Sequence, residues 1–353
     1  MAAKYRVGII GCGGISQSHT TAWAQMPLVQ IAAAADVIKE NVEARADQFQ
    51  IPARYTDAVE MLRKEKPDIV SICTTNAAHV TMTLAAAEAG VKGILCEKPM
   101  APDLKQADDM VAACEKSGSK LAIAHQRRFM PDWVLARKMI TEGAIGVPML
   151  FQWRTSGGLL NNGSHAVDTM RFFLGDARVL WVLGQVGRKT DRYERGLRIE
   201  DLTSFTFCFE NGTRGVVEVD LPAPEMNGEN PLFIGSEGMI TIGKQGLRIL
   251  DSKEGGWRKV PFEPANAHLG QANELIAWLE GGPEHRNSGG RSRKTIEVLM
   301  AVYESARRRE PVTLPLESGP CPLEAMIDDG TLPVVVPGKN EIRPTKIAQK
   351  PKP

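Results

Sequence analysis

The sequence predicts an α/β protein with an N-terminal Rossmann-type, doubly wound parallel sheet, followed by a C-terminal α+β domain on a large, mostly antiparallel open sheet. Three observations predict it. Apolar strand-like runs alternate with helix-like runs up to about residue 128, a glycine turn closes the first strand, and beyond residue 148 strand follows strand with few helices between.

In the first part, 5–10, 30–35, 68–74, 93–96 and 121–125 read as strands, with 54–55 as a short additional one. The intervening runs 15–25, 39–49, 57–64, 77–89 and 104–116 read as helices, several stopped by Gly or Pro. Continuous apolar strands alternating with helices require a parallel sheet covered on both faces. After a helix at 132–141, the runs 149–155, 179–187, 203–210, 215–220, 232–234, 239–242 and 247–251 read as strands. Asn211-Gly212 between two of them signals a hairpin with a type I′ turn. Helices at 165–174, 269–279 and 295–308 are expected to cover one face of that sheet, with 291–294 as a solvated helix start. The expected division is a nucleotide-binding domain at 1–128, a substrate and oligomerisation domain at 129–320, and a Pro/Lys-rich tail at 321–353 that hugs the surface or is disordered.

Composition excludes several function classes. The 353 residues carry 43 Lys and Arg against 42 Asp and Glu, a net charge of +1, which offers no field to hold nucleic acid. No apolar run approaches the roughly 20 residues needed to span a bilayer, and the opening MAAKYRVGIIGCGG leaves no room for a secretory leader. Cys12, Cys73, Cys96, Cys114, Cys208 and Cys321 are scattered, as befits free thiols of the cytoplasm. The six histidines form no metal-binding pattern, so no metal is expected.

The first strand runs into Gly11-Cys12-Gly13-Gly14-Ile15-Ser16. Gly11 and Gly13 occupy the first two glycine positions of a dinucleotide fingerprint, where backbone N–H groups approach a pyrophosphate at a helix N-terminus. Ser16 departs from the Gly or Ala of the third position. Asp36 follows the second strand, where a carboxylate accepts from adenosine ribose hydroxyls and repels a 2′-phosphate. NAD is therefore expected over NADP. Glu97-Lys98-Pro99 places a charge pair at the carboxyl end of a buried strand, the edge at which open α/β sheets bind ligands.

Taken together, GIIGCGGIS at 8–16, AAAD at 33–36, Thr74-Thr75-Asn76-Ala77-Ala78-His79, Glu97-Lys98-Pro99, Arg128-Phe129-Met130-Pro131, Gly143-Ala144-Ile145-Gly146, the run 157–168, and Ser305 with 311–315 resemble the glucose–fructose oxidoreductase, inositol dehydrogenase and rhizopine-catabolism (Gfo/Idh/MocA) family over residues 4–315. The resemblance implies NAD(P)-linked redox chemistry on the carbinol carbon of sugars, cyclitols or related polyols, in homodimers or homotetramers assembled through the open sheet. It places Gly11, Gly13, Gly14, Ile15, Asp36, Thr74, Asn76, His79, Glu97 and Arg128 along the cofactor and Lys98 beside both nicotinamide and substrate. It makes His165 the group that exchanges the hydroxyl proton, as an imidazole poised near neutrality does well. Lys98 and His165 are thus expected to converge on one carbon. Asn161, Asp168, Arg128 and Trp153 are expected at the substrate. Asp168 lies three residues beyond His165 and Asn161 four before it, offsets that share a helix face. In sugar and inositol dehydrogenases of the family the latter position is often Asp; asparagine cannot exchange a proton, so a hydrogen bond to substrate is its expected role. Two other readings are a redox-neutral NAD-dependent glycosidase and a non-catalytic sensor. Keeping both Lys98 and His165 argues against the sensor.

Overall fold

The computed structural model describes residues 4–221, 231–251 and 255–342. It divides into two compact units: one holds the chain up to Gln126 together with Asn266–Arg293, the other Arg127–Ala265 and the described chain from Lys294 onward.

In the first unit, β1 (Tyr5–Ile10), α1 (Ser16–Ala24), β2 (Val29–Ala35), α2 (Lys39–Phe49), β3 (Ala53–Tyr55), α3 (Ala58–Glu65), β4 (Ile69–Ile72), α4 (His79–Glu88), β5 (Gly93–Cys96), α5 (Leu104–Ser117) and β6 (Lys120–Ile123) alternate as the apolar pattern requires. The six strands pair in parallel in the order β3-β2-β1-β4-β5-β6. The order reverses between β1 and β4, which sets the ligand crevice at their carboxyl ends. Local chemistry fixes the helix ends: Asp57 and Asp103 cap α3 and α5 through side-chain oxygens, and Gly118 ends α5 in the left-handed region.

The second unit carries α6 (Pro131–Thr141), β7 (Pro148–Thr155), α7 (Ser164–Phe173), β8 (Val179–Gly187), β9 (Thr190–Glu194), β10 (Leu197–Arg198), β11 (Leu202–Phe209), β12 (Arg214–Val219), β13 (Leu232–Gly235), β14 (Gly238–Gly243), β15 (Gly246–Asp251) and β16 (Trp257–Lys259). The chain then passes through α8 (Ala267–Leu279), α9 (Gly289–Arg308), β17 (Val312–Thr313), α10 (Pro322–Asp328) and β18 (Val336–Glu341). Nine strands form one sheet in the order β16-β15-β14-β13-β7-β12-β11-β8-β17, antiparallel except at β7–β12. Alternation along β7, β11 and β12 buries Phe151, Trp153, Phe205, Phe207, Val217 and Val219 on the face that α6 and α7 cover. Leu183, Leu202 and Trp257 remain exposed.

Several expectations are refined or corrected. The N-terminal stretch of the first unit ends at Gln126, and Asn266–Arg293 returns to that unit. Ala272, Leu275 and Ile276 of α8 pack with Val7, Ile9, Trp23 and Leu95, so an apolar helix face read as cover for the second sheet closes the first core instead. The Asn211-Gly212 hairpin exists, but only Gly212 takes positive φ (84°), and the Phe209 N–H reaches the Thr213 carbonyl. This is a three-residue loop ending in a left-handed glycine, not a type I′ turn. Residues 291–294 lie inside α9, where Arg293 pairs with Asp108 at 2.7 Å. Finally, the Pro/Lys-rich tail holds α10 and β18 as far as the description extends. β18 joins β9 and β10 in a small sheet, and Glu341 accepts the N–H groups of Arg195 and Gly196.

Candidate active site

The first unit builds a dinucleotide cradle. Gly11 has φ +86°, and a Cβ there would sit 2.7 Å from the backbone of Cys73 and Thr74, so only glycine lets the β1 and β4 ends approach this closely. At Gly13 and Gly14 nothing lies within 4 Å of where a Cβ would be, which leaves backbone open to a pyrophosphate. Asp36 Oδ2 accepts the Cys12 N–H at 2.7 Å and Oδ1 accepts the Ile38 N–H at 2.8 Å. The acid after β2 thus braces the glycine turn, with Asn41 Nδ2 a further 3.5 Å from Oδ2. These residues fit NAD.

The departure at the third fingerprint position has a structural account. Ser16 Oγ donates to the Gly13 carbonyl at 2.6 Å, and the buried Arg45 of α2 donates to both, Nε to Ser16 Oγ and a terminal nitrogen to Gly13 O, each at 3.0 Å. A hydroxyl bonded into the turn does the work of close helix–strand packing. Asp36→Ala is expected to weaken NAD binding about tenfold to hundredfold, the value of charge-assisted hydrogen bonds, and to narrow the preference for NAD over NADP. Fluorescence titration with both nucleotides measures this.

Thr74 and Asn76 follow β4, with Asn76 buried at the start of a 3₁₀ turn, and Ile15 is partly exposed beside the glycine turn. His79, expected along the cofactor, is fully buried. Its Nδ1 lies 2.8 Å from the Pro99 carbonyl and its Nε2 3.3 Å from the Thr74 carbonyl, so it ties the loops after β4 and β5 together. Glu97 is buried after β5; its Oε1 lies 2.9 Å from His19 Nε2 and its Oε2 accepts the Lys98 N–H at 3.2 Å. Burial works against its charge, but the hydrogen bond and charge of His19, with Lys98 and His79, prevail and hold the carboxyl down to about 2. A depressed carboxyl contributes stability that is full above its ordinary value near 4.5 and is lost as pH falls toward about 2. Glu97→Gln is therefore expected to flatten the acid-side loss of stability, read as urea midpoints from about pH 5 to about pH 3. The Lys98–Pro99 peptide is cis, and Lys98 is half-buried.

The second unit presents Asn161 and His165. After β7 the chain turns through Gly157 and Gly158 into a π-helical turn, Leu159–Gly163, and then α7. Asn161 lies in that wider turn, so its four-residue offset from His165 is not an α-helical one. Two carboxylates pin the approach. Asp220, at the end of β12, accepts the Gly157 and Gly158 N–H groups, each at 2.7 Å, and Glu200 accepts the Leu159 N–H at 2.7 Å. Tyr303 of α9 donates to the other Glu200 oxygen at 2.7 Å. Burial nonetheless pushes the Glu200 carboxyl up, with Asp220 adding to it. Asn161 and His165 are both buried.

Asp168 and Arg128, expected at ligands, are locked to each other. Arg128 Nε and a terminal nitrogen donate to the two Asp168 oxygens at 2.8 Å, and the same guanidinium reaches Asp176; both partners are about 98–99% buried. Burial opposes the Arg128 charge, but Asp168 and Asp176 raise its pKa above the ordinary value, whereas burial and Arg128 push that of neighbouring Arg171 down. Trp153 stacks on Trp133, ring centroids 5.3 Å apart, with the Arg127 guanidinium 4.8 Å from the Trp153 centroid. Its buried indole N–H has no hydrogen-bond partner among the described residues.

Sequence reasoning missed His19, Arg45, Glu200, Asp220 and Tyr303. For His19 a signal existed: Ser16, His19, Thr20 and Trp23 repeat at helical spacing on the buried face of α1. The others are brought in from distant segments. Among the described residues no group of His, Cys, Asp and Glu is placed to hold a metal, no helix is long and apolar enough to cross a membrane, and all six cysteines are free.

A doubly wound sheet with this glycine turn and acid, continued by an α+β unit that displays a buried histidine, defines the class of two-domain, nucleotide-dependent oxidoreductases. Comparison with known proteins places the chain within it. Residues 5–125 match the oxidoreductase family with an NAD-binding Rossmann fold, and residues 151–241 match the Gfo/Idh/MocA C-terminal domain. The D-apiose dehydrogenase of Paraburkholderia graminis is 28% identical over 344 residues, covering 88% of this chain and 90% of that protein. The scyllo-inositol 2-dehydrogenase (NAD(+)) of Bacillus subtilis is 26% identical over 335 residues, covering 89% and 97%. The structure of levoglucosan dehydrogenase in complex with NADH and levoglucosan has the same fold, with a TM-score of 0.79 at 24% identity over 88% of this chain and all of that one. The protein belongs to the Gfo/Idh/MocA family and is an NAD-binding oxidoreductase.

Proposed function

We propose that the protein oxidises or reduces a secondary alcohol or ketone carbon of a sugar, cyclitol or related polyol, with Lys98 and His165 serving the reacting hydroxyl. The observation that carries this reading is the buried His165 at the start of α7, held on a turn that Glu200 and Asp220 fasten by three backbone N–H groups. NAD, when bound, supplies the hydride acceptor, or the donor in the reverse direction. Gly11, Gly13, Gly14 and Asp36 hold its pyrophosphate and ribose. His165 takes the hydroxyl proton in oxidation and returns it in reduction. Lys98 fixes the substrate oxygen and stabilises its developing negative charge. Asn161 and the Trp153 indole N–H bind further hydroxyls. Arg128 and Asp168 serve through their mutual pair, by fixing α7. The similarity to proteins named D-apiose dehydrogenase and scyllo-inositol 2-dehydrogenase supports the substrate class.

The test is NADH formation across a panel of sugars, inositols and sugar acids. Net NADH with at least one polyol is the expected result. Glycoside cleavage without net NADH points to the redox-neutral alternative, and binding without turnover to the sensor. Sheet faces with exposed Leu183, Leu202 and Trp257 further support assembly as a homodimer or homotetramer; light scattering at micromolar concentration is expected to give a multiple of the chain mass.

A further inference from the structure

Behind the Glu97–Lys98 turn lies a line of buried side chains that neither motif nor comparison singles out. Trp23 Nε1 donates to Ser71 Oγ at 2.7 Å, and Ser71 Oγ lies 3.2 Å from His19 Nδ1. His19 Nε2 lies 2.9 Å from Glu97 Oε1. Direction follows from what each group can give. An indole nitrogen only donates, so the Ser71 oxygen accepts from Trp23 and its own proton is available to His19 Nδ1. With Nδ1 accepting from Ser71, His19 directs its Nε2 N–H at Glu97. Trp23 and Ser71 are fully buried and His19 is 1% exposed, so water does not compete for these bonds.

We propose that His19 is a positioning residue for the cofactor side of the site, delivering one oriented N–H to Glu97 and thereby fixing the Glu97–Lys98 turn. The one-way chain Trp23 to Ser71 to His19 leaves Glu97 Oε1 engaged from behind while Oε2 accepts the Lys98 N–H at 3.2 Å. The carboxylate is set in a single orientation and its charge maintained despite burial. His268 of α8 packs against the His19 ring, centroids 5.3 Å apart, and burial with His19 pushes its pKa down to about 4. The proposal rests on the reading that Glu97 and Lys98 serve the site.

The experiment uses the full-length enzyme and three variants. His19→Leu removes the donor, His19→Gln restores an N–H of similar reach, and Ser71→Ala removes only the group that fixes the ring's direction. The readouts are the NAD dissociation constant by fluorescence, its pH profile, kcat and KM for an active polyol, and the unfolding midpoint without ligand. His19→Leu is expected to weaken NAD binding at least tenfold and to move the acid limb of binding upward, because Glu97 then keeps its burial but loses its hydrogen bond. Lys98, His79 and Cys73 also face Glu97 and are unchanged in all variants. The fall in kcat is expected to exceed the rise in KM. His19→Gln is expected to recover most of both effects, and Ser71→Ala to show a smaller shift in the same direction. A His19→Leu protein with a lowered unfolding midpoint but wild-type NAD affinity, pH profile and kcat overturns the proposal. Should that variant not fold, unchanged NAD affinity and pH profile in Ser71→Ala does so. If no polyol is turned over by the wild type, the functional reading fails, while the NAD-binding arms still decide the role of His19.

Discussion

His165→Asn is expected to lower kcat by about 10²–10⁴-fold, the usual worth of a positioned general acid–base, while the NAD dissociation constant, measured by fluorescence, is expected to stay within about twofold. Asparagine keeps a polar group of similar bulk in a buried place on α7 and removes only the ability to exchange a proton near neutrality. The expected split between chemistry and cofactor binding is what assigns the role. Retained turnover would mean that another group takes the hydroxyl proton. Lys98→Met tests the complementary part: loss of the ammonium is expected to cut kcat comparably.

The second large effect concerns stability. Arg128 and Asp168 form a bidentate pair with both side chains essentially out of water, Asp176 on the same guanidinium, and the Thr295 hydroxyl 3.3 Å from Asp168. Removing one partner strands a buried charge, so Asp168→Ala is expected to destabilise the protein by about 3–5 kcal/mol, whereas replacing Arg128 and Asp168 together by apolar residues of similar volume costs much less. Urea unfolding of the enzyme without ligand measures both. Were the two residues important only as ligand contacts, the midpoint of the unliganded protein would not move.

Much of the fold was legible because it is written in local pattern. The βα alternation of the first 125 residues, the strand runs of the second unit and the turn at Gly11 each follow from periodicity or from a backbone requirement that only certain residues satisfy. Asp36 and Lys98 stood out as candidates for a related reason: a fold that binds ligands at the carboxyl ends of its strands draws attention to the residues there. Reading failed where the partner of a segment lies far away in sequence. The face of α8 that carries Ala272, Leu275 and Ile276 is apolar whichever sheet it covers, so its amphipathic pattern does not say which. Pairing of β18 with β9 likewise depends on a neighbour some 145 residues distant, as the Arg195–Glu341 bond shows.

The site divides along the same line. Residue types at motif positions pointed to an NAD-binding family and singled out candidates for proton exchange, because glycine, carboxylate, ammonium and imidazole each bring a distinct chemistry. Tertiary structure alone decided what those groups are allowed to do. It spent Asp168 on Arg128, closed His79 between two carbonyls, set His19 behind Glu97 and fastened the Asn161–His165 turn with Glu200 and Asp220. Those outcomes depend on which distant polar groups meet in a space without water, where every donor requires an acceptor, and linear order does not encode that meeting.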